Sequence, residues 1–104
     1  MPIDRWLTRW SANYAFLRRA VDAVGRELAR RPYDALLQEG EELSFTQFFD
    51  GEQVDFEVEV FRIDRDRTMW VRVVPGSDRG TPLDLKPSYV FRKLPDGRAY
   101  RMRR

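Results

Sequence analysis

Ile3, Leu7, Trp10, Tyr14, Leu17, Val21, Val24 and Leu28 recur in alternating steps of four and three, and no other feature constrains this chain as much. That spacing returns every member to one side of an α-helix, so the first thirty residues read as a single amphipathic helix. Trp6 falls inside the stripe, and Phe16 and Ala20 widen it to about half the circumference, which suits a sheet better than the narrower seam of a coiled coil. Asp4 is the predicted N-cap, and Pro32 stops the helix after Arg31. A helix over 4–31 is about 40 Å long at 1.5 Å per residue.

Beyond Gly40 the apolar period changes from helical to two. Leu43, Phe45 and Gln47 alternate with Ser44, Thr46 and Phe48, and Asp50 with Gly51 is the strongest hairpin signal in the chain. Val54, Phe56, Val58 and Val60 then alternate with Asp55, Glu57 and Glu59, the pattern of a half-buried strand with an acidic outer face. A turn at Asp64 to Arg67 leads to Met69, Val71 and Val73, with Trp70 and Arg72 on the other side. A long connection from Gly76 to Pro87 precedes a strand beginning at Tyr89. Pro95, Asp96 and Gly97 turn it into a last basic strand through Tyr100 and Met102.

The pattern predicts one α+β domain over 1–104: a long N-terminal helix, about 4–31, packed on a curved four- to five-stranded antiparallel meander sheet, about 42–103. Its expected core sets Leu17, Val21, Val24 and Leu28 against Val54, Phe56, Val58, Val60, Met69, Val71 and Val73. A short helical turn is expected from Tyr33 to Glu39.

Composition narrows the chemistry. The 104 residues include no cysteine and no histidine. Thiolate catalysis, disulfides and cysteine metal sites are therefore excluded, along with the commonest general base and metal ligand. Asp55, Glu57 and Glu59 share a strand face, but alternation alone produces that arrangement, and an exposed acidic strand is the expectation. The sequence accordingly implies no catalytic residue, no cofactor and no metal. No apolar run approaches the roughly 20 residues that cross a bilayer, so a cytoplasmic protein with no membrane partner is expected.

A formal net charge of +2 hides polarised segments. Residues 1–31 carry seven arginines against three acidic residues, a net +4. Between Asp34 and Asp66 eleven acidic residues face two arginines, a net −9, and from Lys86 onward seven basic residues face one aspartate, a net +6. Acidic and basic strands lying side by side would neutralise one another; apart, they would leave a basic patch for an acidic partner.

The order of elements resembles the cystatin-like fold, shared broadly with the NTF2-like superfamily. Gln47, Phe48, Phe49, Asp50 and Gly51 also sit in the first hairpin after the helix, where cystatins carry their Gln-x-Val-x-Gly protease-binding loop. Gln47 and Gly51 match that pattern, whereas Phe49 replaces its valine. No glycine-bearing segment precedes the helix, and Pro75 is followed by Gly76 where the second inhibitory loop has Pro-Trp. The resemblance implies the fold and, as one alternative, protease inhibition.

The leading expectation is a non-enzymatic domain that binds a protein partner or itself, most naturally as a homodimer. Its candidate interface is Trp6, Trp10 and Tyr14 on the first half of the helix, with Phe61, Ile63 and Trp70 on the outer sheet face. The alternative is nucleic-acid binding by the basic C-terminal strands through Arg92, Lys93, Arg98, Tyr100, Arg101 and Arg103. There, rings and cations interleave as in single-strand binders.

Overall fold

The computed structural model describes residues 2–38, 42–76 and 87–102, with side chains from residue 14 onward apart from that of Glu42. The described chain is α+β. Helix α1 spans Pro2–Arg30 and α2 spans Tyr33–Gln38, followed by β1 (Glu42–Phe49), β2 (Glu52–Ile63), β3 (Met69–Pro75), β4 (Tyr89–Lys93) and β5 (Ala99–Met102). The strands form one open antiparallel sheet in the order β1-β2-β3-β4-β5. Two helices therefore stand where the sequence predicts one helix and a turn. Asp4 lies inside α1 rather than capping it. Pro32 separates the helices because its ring disfavours helical geometry at Arg31, and its carbonyl accepts the Leu36 N–H at 3.2 Å.

Each tight turn follows from its residues. Asp50 and Gly51 have φ of 50° and 77°, the left-handed pair that a two-residue hairpin requires, and Phe49 pairs with Glu52 directly beneath them. The β2–β3 and β4–β5 hairpins share one design. The Arg67 N–H donates to Asp64 O, and the Asp64 N–H to Thr68 O; the Gly97 N–H donates to Leu94 O, and the Leu94 N–H to Arg98 O, each at 2.9 Å. Gly97 takes the left-handed position at φ 98°, whereas its counterpart Arg67 takes it at φ 71°. Tyr33 helps hold Arg67 there, since its hydroxyl donates to Arg67 O at 2.6 Å and its ring lies under the Arg67 guanidinium.

The core sits on one face of the sheet. Leu17, Ala20, Val21, Val24 and Leu28 of α1, with Tyr33 and Leu36 of α2, are buried against Val54, Phe56, Val58, Met69, Val71, Val73, Tyr89 and Phe91. All eleven expected core residues take part, although Val60 is only half-buried. α1 touches β3, β4 and β5, while Leu43, Phe45 and Phe49 of β1 remain half-buried at the margin. Close approach of α1 to β4 depends on Gly25. A Cβ there would lie 2.3 Å from ring carbons of Tyr89, inside any van der Waals contact.

Gly25→Ala should therefore lower the midpoint of urea unfolding. Its helix-propensity gain of about 1 kcal/mol is smaller than the roughly 1–3 kcal/mol cost of overpacking. A raised midpoint would show that Tyr89 swings aside without loss.

Candidate functional site

The outer face of the sheet, opposite α1, is built by strand register. Ser44 opposes Glu57, Thr46 opposes Asp55, Glu59 opposes Arg72, and Arg62 opposes Trp70. Trp70 in turn opposes Arg92, which opposes Tyr100. The register of β2 against β3 shifts between Val60 and Arg62, a β-bulge that leaves Phe61 outside the pairing. Past the bulge the parity of β2 is reversed. Arg62 thus joins the outer row, and Ile63 pairs with the fully buried Met69 on the helix side.

This register assembles arginines and aromatic rings around Trp70. The Arg62 and Arg92 guanidinium carbons lie 5.5 and 5.6 Å from the Trp70 ring centroid, and the Phe61 ring is 6.3 Å away. Arg92 is also 5.7 Å from the Tyr100 ring, and Arg72 is 5.2 Å from Phe61. Cation and ring attract because the ring face carries the negative end of its quadrupole. Asp64 fixes one edge, accepting from Trp70 Nε1 at 2.9 Å and from Arg62 Nε at 2.5 Å. Arg72 pairs with Glu59, and Arg98 donates to Asp96 at 2.7 Å and to the Tyr100 hydroxyl at 3.3 Å. Arg92 differs from these neighbours. Its Nε is buried with no acceptor, and among the described residues no carboxylate forms an ion pair with its guanidinium.

Two residue sets that the sequence kept apart thereby meet on one surface. Phe61 and Trp70 lie beside Arg92, Arg98 and Tyr100, with Phe61 42% and Tyr100 43% exposed. Other candidates are placed elsewhere. Ile63 leaves the set because of the bulge, and Tyr14 is half-buried on α1. The side chains of Trp6 and Trp10, and Arg103, lie outside the described residues, as does the segment 77–86 of the long connection.

Lys93 and Arg101, expected as nucleic-acid contacts, face the helix. Lys93 is 2% exposed, and its ammonium donates to Ala29 O and Gly97 O, each at 2.8 Å. The Ala29 carbonyl belongs to the last turn of α1, where intrahelical donors run out and a cation is favoured by the helix dipole. Burial pushes the Lys93 ammonium below its usual 10.5, with Asp96 acting weakly against that shift. Arg101 opposes Phe91 in register, donates to Asp22 of α1 at 2.8 Å and stacks 4.4 Å from the Tyr89 centroid. Both side chains fasten the helix to the sheet.

The sequence reading placed Arg72 on this side without naming it as a site residue, and it missed Arg62. Arg72 carried a usable signal, its alternation with Val71 and Val73, whereas Arg62 sits on a core-facing position of the strand pattern until the bulge moves it. The expected neutralisation of acidic by basic strands is partial. β3 and β4 stand between acidic β2 and basic β5, and Glu59 with Arg72 makes a cross-strand ion pair at the acidic margin. Asp55 accepts the Thr46 hydroxyl at 2.6 Å, and Asp55 and Glu57 are exposed. A concavity of about 270 Å³ lies on the helix side, lined by Val24, Glu27, Leu28 and Arg31 of the helical layer and by Leu43, Phe45, Thr46 and Gln47 of β1. Gln47 to Gly51, the window resembling the cystatin loop, forms the end of β1 and its two-residue turn.

Among the described residues no helix is long and apolar enough to cross a membrane. No protein-family model matches the sequence, and neither a curated protein nor a solved structure matches the chain.

Three turn aspartates have carboxyls held below their ordinary range. Asp64 is held below the usual 3.8 first by the Trp70 indole N–H and then by Arg62; Asp66 by the backbone N–H and hydroxyl of Thr68; Asp96 by the backbone N–H of Arg98 and then its guanidinium. A carboxylate whose folded pKa is depressed stabilises the fold above its unfolded pKa and loses that contribution as pH falls through the folded value. With no histidine to titrate, stability should be flat from about pH 5 to pH 8 and fall below about pH 4. Asp66→Asn with Asp96→Asn should shallow that fall in urea titrations; an unchanged acid slope would remove these turns from the account. Lys93→Met leaves two carbonyls without their donor and should cost about 1–3 kcal/mol in the same measurement. A neutral or stabilising result would show that water replaces the ammonium.

Proposed function

We propose that this chain is a non-enzymatic, cytoplasmic binding domain that works through the arginine and aromatic face of its sheet, on a protein partner presenting carboxylates. The observation that carries the reading is Arg92. Its guanidinium stacks against Trp70 and Tyr100, stripped of water at Nε, with no carboxylate among the described residues in an ion pair with it. A stacked guanidinium is already oriented, so less freedom is lost when its planar fork closes on a carboxylate. Trp, Tyr and Arg are the residues in which interface binding energy concentrates. The core does not use Trp70, Arg92 or Tyr100, so their placement serves the surface. A cysteine-free composition suits a reducing compartment, and a cystatin-like arrangement of the helix across the meander belongs to the same proposal.

Nucleic-acid binding is the second reading. Tyr100 and Trp70 flank Arg92 on the sheet face opposite α1, as the rings of base-stacking platforms flank a cation. Asp64 and Glu59 on that face would repel a phosphate chain running past it, which favours the protein partner.

A pull-down from source-cell lysate at low and moderate salt separates the readings. Trp70→Ala and Arg92→Gln should each weaken capture of a stoichiometric protein by at least about thirtyfold while unfolding cooperatively like the parent. A protein retained equally by both variants would overturn the proposal. Nucleic acid released by salt with no protein companion would establish the second reading instead.

A further inference from the structure

We infer that the free edge of β1 pairs antiparallel with β1 of a second copy, so that two sheets join into one across a two-fold axis. This inference rests on a surface separate from the arginine face. Among the described residues β1 hydrogen-bonds only to β2, and it is the long edge of the sheet, eight residues against four in β5. The Asp50–Gly51 turn makes Phe49 and Glu52 the first hydrogen-bonded pair. Ser44, Thr46 and Phe48 therefore occupy the alternate positions of β1, whose N–H and C=O groups aim away from β2.

Edge strands that stay single are commonly protected by lysine, proline, a bulge or brevity. From Leu43 to Phe49 this edge has no charge, no proline and no glycine, and its β1–β2 register is unbroken. Phe48 stands 73% exposed upon it. Over Leu43 to Phe49 the edge also meets no like charge when that stretch pairs with itself.

The concavity between α1 and β1 identifies the occupant. A two-fold axis normal to the sheet keeps both helices on the same side and reverses their direction. Apolar walls made by Val24, Leu28, Leu43 and Phe45 then adjoin the same walls of the second copy. On the rim, Glu27 and Arg31 lie 3.9 Å apart at i and i+4. Inverting that pair sets Glu27 of one copy toward Arg31 of the other, so the rim is complementary to itself in charge as the edge is in hydrogen bonding.

Sedimentation equilibrium over about 1 µM to 1 mM, the range in which a weak dimer populates, tests the inference. The parent should show a monomer–dimer equilibrium. Phe48→Lys, which puts a charge on the edge, and Ser44→Pro, which removes a donor that β2 does not use, should each raise the dissociation constant by at least about tenfold with unchanged circular dichroism. Should Ser44→Pro fail to fold, Phe48→Lys decides alone. Trp70→Ala with Arg92→Gln should leave the dimer intact. A parent that stays monomeric to 1 mM overturns the inference and leaves the arginine face untouched. A dimer lost only with Trp70 and Arg92 overturns it too, and makes that face the site of self-association.

Discussion

One helix face, from Leu17 to Leu28, has to cover a five-stranded sheet, and the rest of the molecule is arranged around its limited reach. An α-helix with its side chains is about 10–12 Å across, little more than two strand spacings of about 4.8 Å. α1 lies against β3, β4 and β5, where Val71, Val73 and Phe91 are fully buried, and β1 keeps its apolar side chains half exposed. The helix is set there by contacts that allow little adjustment. Gly25 presses on Tyr89, the Lys93 ammonium holds the last-turn carbonyl of Ala29, and Arg101 reaches Asp22 across the Tyr89 ring.

With α1 on one face, no other described helix or strand packs over the opposite face, and that freedom produces the arginine and aromatic surface. With the core complete on the helix side, Trp70, Phe61 and Tyr100 are not drawn inward, and guanidinium groups shield their rings instead. Asp64 stiffens the arrangement by accepting from both Trp70 and Arg62. Arg92 stacks with its Nε buried and without an acceptor, in the field of Asp64 but in no ion pair with a carboxylate among the described residues, and so combines orientation with unspent hydrogen-bonding capacity. We propose this surface as one of recognition. The carboxylates of β2 are exposed or already bonded to Thr46 and Arg72.

The two surfaces on which function is proposed differ in what recognises them. The arginine face offers side chains, so its specificity follows from charge and ring geometry. The β1 edge offers main-chain groups, and there the match depends on register, parity and the absence of opposing charge. Joining two copies at β1 would leave both arginine faces on the same side of one continuous sheet, available together to a partner with repeated acidic groups.

The main helix, the alternation of the strands, the tight turns and most of the core were legible in the order of residues, whereas α2 read only as a turn and Tyr33, Leu36, Tyr89 and Phe91 were not named in the expected core. Periods of 3.6 and 2 report which side of an element is dry, and Pro32, Asp50 with Gly51, and Pro95 to Gly97 act through local dihedral preferences. Which charged residues share a surface was not legible there. Lys93, Arg98 and Arg101 read alike in the sequence, yet one holds a helix end, one lies on the outer face beside its near neighbour Tyr100 and one clasps Asp22, because Ala29 and Asp22 reach Lys93 and Arg101 from 64 and 79 residues away. The bulge after Val60 was hidden for a related reason. Inserting one residue costs a local irregularity that only strand pairing reveals, and it reverses every later side chain, moving Arg62 to the outer face and Ile63 off it. Local preferences are written residue by residue, whereas the partners of a cation are set by register across strands, and only the folded sheet fixes that.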